Sequence, residues 1–446
     1  MSGRLLARLG LSSPGARAWA MYDWANSGML LLVVTTIFPI FFSQFVSDDP
    51  VQATGRFTLA TTIGLGVIAI AAPFLGTLAD ASAAKLKFLA TFLALGVAAT
   101  AGMFFIQQGQ WLLALTLFAL ANIGLNGSFV FYDALLPHVA PPEDWDRVSS
   151  AGFAIGYLGS SLLLAFGLAL ITVPGRFGLP GGEGLSPAAA SLPTRITFVL
   201  AAVWWAVFSI PLFRRVPEPP PPRAPRAPGE PTRSAVGETF VQLGRTFREL
   251  RRYRDAFVFL LGFLIYNDGI GTIIRLATVY GTEIGIGRTT LIAAILVTQV
   301  VGVPFAFLFG QLAGRVGAKR AIFLGLAVYT GISVLGYLMR TGLHFLLLAI
   351  LVGTVQGGTQ ALSRSLFSSM IPKSKSGEFF GFYSVFEKGA SILGPLVFWL
   401  VLQLSGSSRN AILALIAFFA AGAALLASVN VSRGRDAARQ AEAELA

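Results

Sequence analysis

Twelve times along this chain a run of about twenty apolar residues gives way to a short polar connection. A helix needs about 20 apolar residues to cross about 30 Å of hydrocarbon. That ruler places spans at roughly 17–46, 56–79, 86–107, 111–137, 148–173, 195–213, 256–282, 289–312, 320–340, 343–371, 379–403 and 409–430. An even number puts both chain ends on one side. The first run is too long for a cleaved signal peptide and shows no small-residue cleavage site before Asp23, so it is expected to stay in the mature protein. Pro39, Pro73, Pro304 and Pro395 are expected to kink their spans.

One connection differs in kind. Residues 214–235, RRVPEPPPPRAPRAPGEPTRSA, are too Pro-rich for helix or core and read as an extended, solvated linker. The chain thus divides into a six-span bundle at 1–213, a linker region at 214–255 and a second six-span bundle at 256–446. Within the linker region Val236, Phe240, Leu243, Phe247 and Leu250 fall at helical spacing, with Arg245, Arg248, Arg251 and Arg252 on the other face. This pattern predicts an amphipathic helix on the cytoplasmic leaflet, or a solvated helix packed on neighbouring loops.

Composition fixes the solvent. Of 446 residues, 55% are hydrophobic and 12% charged, against about 25% charged in ordinary globular domains; the fold class is an all-α membrane protein. With no Cys and two His, thiolate and zinc sites are not expected, nor is any cofactor. No GxxxxGK[ST] loop and no nucleophile–base pair appears, so ATP-driven transport and enzyme chemistry lack support. The net charge of +12 resides in the connections, which points to topology and lipid headgroups rather than to nucleic acid. With the N-terminus inside, 24 of the 33 Lys and Arg are cytoplasmic and 6 are outside, so both termini are expected in the cytoplasm.

The halves echo each other. Asn122, Asn126, Phe129 and Asp133 share one helical face, and 231 residues later Gly353, Gly357, Gln360 and Arg364 repeat the spacing. GTLADASAAKLK at 76–87 likewise matches GQLAGRVGAKR at 310–320. Such duplication is the mark of a transporter built from two related units.

Those two loops resemble the loop motif of the major facilitator superfamily. YDWANS at 22–27, FYDALLP at 131–137, GFAIGYLG at 152–159, YNDG at 266–269, GGTQALSRSLF at 357–367 and FFGFYSVFEKGASILGP at 379–395 together resemble its vacuole effluxer-like branch, which includes fungal vacuolar amino-acid effluxers linked to autophagy. The resemblance spans nearly the whole chain. It implies twelve transmembrane helices in two pseudo-symmetric six-helix bundles, a central cavity lined by helices 1, 4, 7 and 10, and transport of a small solute, amino-acid efflux among the candidates. A multi-pass cell-membrane monomer is expected, with a small-molecule substrate, membrane lipid and protons as partners.

Seven charges fall within spans: Asp23, Asp133, Asp268, Arg275, Arg364, Glu387 and Lys388. Burying an ion among lipid tails costs at least about 2.5–3.5 kcal/mol, so each should face a partner or water. If Ser13 caps the first helix and Pro14 begins it, Asp23 lies about 14 Å along the axis, deep enough to meet a cavity. Tyr22, Trp24 and Asn26 would then supply an aromatic and polar wall; the other reading is an interfacial belt with Asp23 paired to a base. Tyr266, Asn267 and Asp268 lie near the midplane, as substrate contacts or as a structural hydrogen-bond cluster, and Asn126, Gln360 and Arg364 share the repeated face. These residues are the substrate-binding candidates. A zwitterion would bridge Arg364 or Lys388 and Asp23 or Asp268.

For proton coupling or gating the candidates are Asp23, Asp80, Asp133, Asp268, Arg364, Glu387 and Lys388, with Glu387 and Lys388 able to neutralise each other. The repeat further predicts an Asp133–Arg364 ion pair or shared polar network when the cytoplasmic side closes. Gly152 and Gly156, four apart, predict close helix packing. A passive channel or a lipid-moving protein is the alternative to a secondary active transporter.

Overall fold

The computed structural model describes residues 3–47, 50–221, 252–390 and 393–445. Most of the Pro-rich linker, from residue 222, and the amphipathic helix expected after it lie outside these residues. Twelve membrane helices follow in order: α1 (Pro14–Val46), α2 (Pro50–Ser82), α3 (Lys85–Gly102), α4 (Trp111–Ala134), α5 (Trp145–Thr172), α6 (Leu192–Arg215), α7 (Arg254–Glu283), α8 (Arg288–Val316), α9 (Ala318–Leu338), α10 (Gly342–Ser368), α11 in two pieces (Ser376–Gly389 and Leu393–Ser405) and α12 (Ser408–Ser428). Each expected span overlaps one of them.

Local chemistry sets the helix ends and bends. Ser13 caps α1, its Oγ accepting from the Ala16 N–H at 3.0 Å, and Pro14 occupies the first turn, where its missing N–H costs nothing. Further along, Pro39 cannot supply a helical N–H, and the preceding stretch Leu30–Ile37 widens into π-type turns. The hydroxyls of Thr35 and Thr36 donate to the Leu30 and Leu31 carbonyls at 2.9 and 2.7 Å, satisfying acceptors in that wider turn. Pro73 and Pro304 lie inside continuous helices.

The outer surface is apolar. On α2 Leu59, Ile63 and Ile70 are 61%, 53% and 74% exposed, values that water would penalise and lipid does not. Inside each half, aromatic side chains lock helices together: Phe38 of α1 stacks on Phe118 of α4 at 4.3 Å, and Phe263 of α7 on Tyr383 of α11 at 4.6 Å.

Two seams join the halves, α5 against α8 and α2 against α11. Both depend on glycine. A Cβ on Gly76 of α2 would collide with the Gly377 carbonyl oxygen of α11, and one on Gly302 of α8 would sit 2.7 Å from the Tyr157 ring of α5. Tyr157 therefore enters the other half through a slot that Gly302 and Gly357 leave open, and deeper in the membrane Gln299 Nε2 donates to Ser160 Oγ at 3.0 Å.

Both chain ends lie on one face. A left-handed turn at Gly10 (φ +72°) folds the short N-terminal helix Gly3–Arg8 back beside Arg147 and Val148. The C-terminal helix Val431–Leu445 is clamped to the start of α7, where Asp255 accepts from Arg433 Nε at 2.6 Å and from the Asn430 N–H at 2.7 Å. We call this the termini face.

Candidate functional site

The termini face is shut by charges buried between the halves. Arg364 of α10 reaches into the first half, where Nη1 meets Asp133 Oδ1 of α4 at 2.9 Å and Nη2 meets Asp23 Oδ2 of α1 at 3.3 Å. Its Nε donates to Ser149 Oγ of α5 at 2.9 Å, and Nη2 also donates to the Ser149 carbonyl at 3.1 Å. Four helices thus meet on one guanidinium. The fork of a guanidinium suits this task because it offers several donors in fixed directions.

The surroundings hold that geometry. Trp19 lies under the guanidinium at 4.6 Å and stacks on Tyr132 at 4.4 Å, while the Tyr132 hydroxyl donates to Asp23 Oδ2 at 2.7 Å. Gly152 faces the Asp23 carboxylate so closely that no Cβ fits there. Arg364 and Asp23 are each 4% exposed and Asp133 8%, so the trio carries a net formal charge of −1 out of reach of bulk water. A buried excess charge of this kind is discharged by a proton or by a cationic ligand.

A second set of contacts lies nearer the surface. Asp80 at the end of α2 accepts the Gly377 and Glu378 N–H groups at 3.0 and 2.7 Å, capping the α11 N-terminus across the seam. Lys85 pairs with Asp80 at 2.5 Å. The first N–H groups of α3, from Lys85 and Leu86, donate to Glu218 at 2.6 and 2.8 Å, so the start of the linker is fastened to the same corner. Ser365 Oγ donates to Asp146 at 2.5 Å.

His138, in the connection after α4, lies 3.1 Å through Nε2 from Ser376 Oγ of the other half. Burial, with the Lys85 and Lys373 charges beside it, pushes its pKa down to about 3. In an open, hydrated interface it would return toward about 6.5. Above that value His138 contributes no pH dependence; as pH falls below it, the open form binds a proton that the closed form refuses. Closure is therefore expected to weaken by up to about 1.4 kcal/mol per pH unit between about pH 6.5 and 3. Cysteine accessibility at the termini face, followed against pH, should be steeper in the native chain than in His138→Gln by this contribution.

The remaining expected site residues are dispersed. Tyr22 is fully buried beside Tyr132 at 4.9 Å, within the first half. Trp24, one residue and about 100° around α1 from Asp23, stacks on Trp204 of α6 at 5.3 Å and contacts Phe208. It lies in a seam of its own bundle rather than beside Arg364. Asn26 is buried, and Asn126 bonds back to its own helix at the Asn122 carbonyl, at 2.9 Å. Tyr266 pairs with Ser363 at 2.6 Å between α7 and α10, while Asn267 and Gln360 are half-buried on the same two helices.

Asp268 has a cationic partner and a backbone donor within its own half. Its carboxylate accepts the Gly394 N–H at 2.6 Å, at the start of the second piece of α11, and stands 3.6 Å from Arg275. Glu387 and Lys388 pair with each other at 2.7 Å. Lys388 lies 5.8 Å over the Phe129 ring of α4, on the repeated face of the first half. Tyr132 stands within FYDALLP without a signal of its own, and nothing in the sequence pattern marks Ser149.

A double-mutant cycle measures the central contact. Asp133→Asn and Arg364→Gln should each raise labelling of an introduced cysteine at the termini face, and the double variant should raise it by less than the sum in free energy. Additive effects would mean that the two act independently.

Comparison with known proteins bears on what such a molecule is. Residues 54–439 match the family described as Vacuole effluxer Atg22 like. The MFS-type transporter YxiO of Bacillus subtilis (strain 168) is 38% identical over 426 residues, 95% of this chain and 96% of that one. Autophagy-related protein 22 of Yarrowia lipolytica is 26% identical over 320 residues, which are 66% of this chain and 52% of the fungal protein. Among solved structures, the E. coli fucose:proton symporter FucP aligns with a TM-score of 0.67 at 16% identity, covering 96% of this chain and 98% of its own. The human organic anion transporter MFSD10 aligns with a TM-score of 0.67 at 13% identity, covering 93% and 99%.

Proposed function

The chain belongs to the vacuole effluxer Atg22-like family of major facilitator transporters, and from that premise we propose that it exports a small zwitterionic solute of the amino-acid class by proton-coupled alternating access. Transport, not enzyme catalysis, is the class of activity. The observation that carries the finer reading is the buried Asp23–Arg364–Asp133 trio with its excess negative charge.

A zwitterion brings what the trio exchanges. Its carboxylate can replace a side-chain carboxylate on Arg364, and its ammonium can take the acid so released. The contacts closing the termini face are then traded for contacts with the substrate, which lowers the barrier to opening. A proton on Asp23 or Asp133 removes the excess charge by another route and links opening to the pH gradient. The bias of Lys and Arg assigns the termini face to the cytoplasm. The structure would then be the form closed to the cytoplasm. Export is favoured by the description of the family as effluxers.

Reconstituted protein tests the reading by counterflow. Proteoliposomes preloaded with an unlabelled amino-acid mixture should take up labelled amino acid, faster with an imposed pH gradient. Counterflow of neutral sugars with none for any amino acid would overturn it.

A further inference from the structure

Away from the trio, at the termini face, a cavity of about 690 Å³ lies between the halves. Three arginines line it: Arg8 from the N-terminal helix, Arg147 from α5 and Arg315 from α8, with Gln311 and Gly314 beside them. Gly10, in the turn after the N-terminal helix, packs against the Arg147 Cβ, and Arg147 lies over Gly314, its Nη2 3.6 Å from where a Cβ would stand. Arg147 also pairs with Asp144 at 3.2 Å. The pocket keeps a formal charge of +2 once that pair is discounted, facing an opening large enough for a phosphate.

The walls above the pocket are apolar and face outward. On α5, Leu158 stands eleven residues from Arg147, three turns along the same face, and is 45% exposed. On α8, Leu308 stands seven residues from Arg315 and Val300 eleven from Gln311; they are 51% and 61% exposed. Each face thus runs from a cationic mouth into surface suited to hydrocarbon. A soluble anion would use the mouth alone, whereas a phospholipid uses both.

We propose that this pocket binds the phosphate of an anionic phospholipid, its acyl chains lying along the Leu158 face of α5 and the Leu308 face of α8. Arg8 and Arg147 belong to the first half and Arg315 to the second, so all three meet one phosphate only while the termini face is closed. The lipid therefore favours the closed form, by its difference in affinity for the two forms. The proposal is independent of the identity of the transported solute.

Full-length protein in neutral detergent provides the test, with dioleoylphosphatidylglycerol, dioleoylphosphatidylcholine and sodium phosphate as separate additives. Phosphatidylglycerol should bind by native mass spectrometry and raise the unfolding midpoint; phosphatidylcholine should do so less, and phosphate alone should have no effect. Arg8→Gln with Arg315→Gln should weaken phosphatidylglycerol binding roughly 25-fold, at roughly fivefold per arginine, while Arg176→Gln at the opposite face should not. Equal binding of the two lipids overturns the proposal, as does undiminished phosphatidylglycerol binding in the double variant. Stabilisation by phosphate alone equal to that by the lipid would assign the pocket to a free anion instead. If the double variant does not fold, the comparison of the two lipids on the native chain still decides.

Discussion

Arg364→Gln is expected to open the termini face and abolish transport. The substitution leaves Asp23 and Asp133 buried with no cation between them, and breaking a buried pair in this way costs about 3–5 kcal/mol. That cost falls on the closed form, since in the open form both carboxylates meet water. At about 1.4 kcal/mol per tenfold, the closed population drops relative to the open one by roughly a hundredfold to several thousandfold. The native chain contains no Cys, so a single introduced thiol reports without background. Ser150→Cys is a suitable reporter because Ser150 is 1% exposed in the α5–α8 seam, against Gly310. Its maleimide labelling should rise at least tenfold in the Arg364→Gln background. Arg364→Lys should fall between, since one ammonium cannot reproduce the forked contacts to Asp133, Asp23 and Ser149. Unchanged labelling with intact transport would show that the trio does not hold the halves together.

The second large effect is steric. Gly76→Ala places a methyl group where the Gly377 carbonyl oxygen now lies, and this contact is backbone against backbone, so no rotamer change relieves it. The α2–α11 crossing must widen, and the two N–H donors to Asp80 withdraw with it. Overpacking of this kind costs about 1–3 kcal/mol. Because the collision is between halves, it acts on closure and not on the folding of either bundle. Labelling at Ser150→Cys should therefore rise roughly five- to a hundredfold while the unfolding midpoint stays close to that of the native chain. Gly66→Ala supplies the control, since a Cβ there meets nothing within 4 Å. A Gly76→Ala chain that labels like the native one would mean that the α2–α11 seam does not need this close approach.

Whatever repeats regularly along the chain is legible in its sequence. Hydropathy located all twelve helices because each must satisfy the same bilayer thickness, and Ser13 with Pro14 marked the start of α1 because capping is local chemistry. The Asp133–Arg364 contact was legible for a different reason: internal symmetry sets matching positions of α4 and α10 opposite each other, and one carries an acid where the other carries a base. Partnerships that depend on a neighbouring helix were not legible. Periodicity says which face of a helix a residue occupies, not what packs there. Thus Trp24 stacks on α6 although it adjoins Asp23, and Asp268 accepts the Gly394 N–H at the second piece of α11, a contact no spacing announces. Ser149 and Tyr132 are not legible because a single hydroxyl gains its importance only from the charge it touches, Arg364 for Ser149 and Asp23 for Tyr132. Asp80 stands among the gating candidates, but its partner is not legible, because its acceptors serve an N-terminus 297 residues away.

The proposed cycle has the halves rock so that the Arg364 contacts break as the termini face opens and the opposite face closes. Paired spin labels measure this directly. One pair, Ala81→Cys with Arg320→Cys, spans the termini face, and the other, Gln108→Cys with Ser405→Cys, spans the opposite face; all four sites are exposed. Double electron–electron resonance on each pair, in the native and Arg364→Gln backgrounds, should show the termini-face distance lengthening in the variant while the opposite-face distance shortens. A lengthened termini-face distance with the opposite face unchanged would contradict alternating access and describe a gate in a channel.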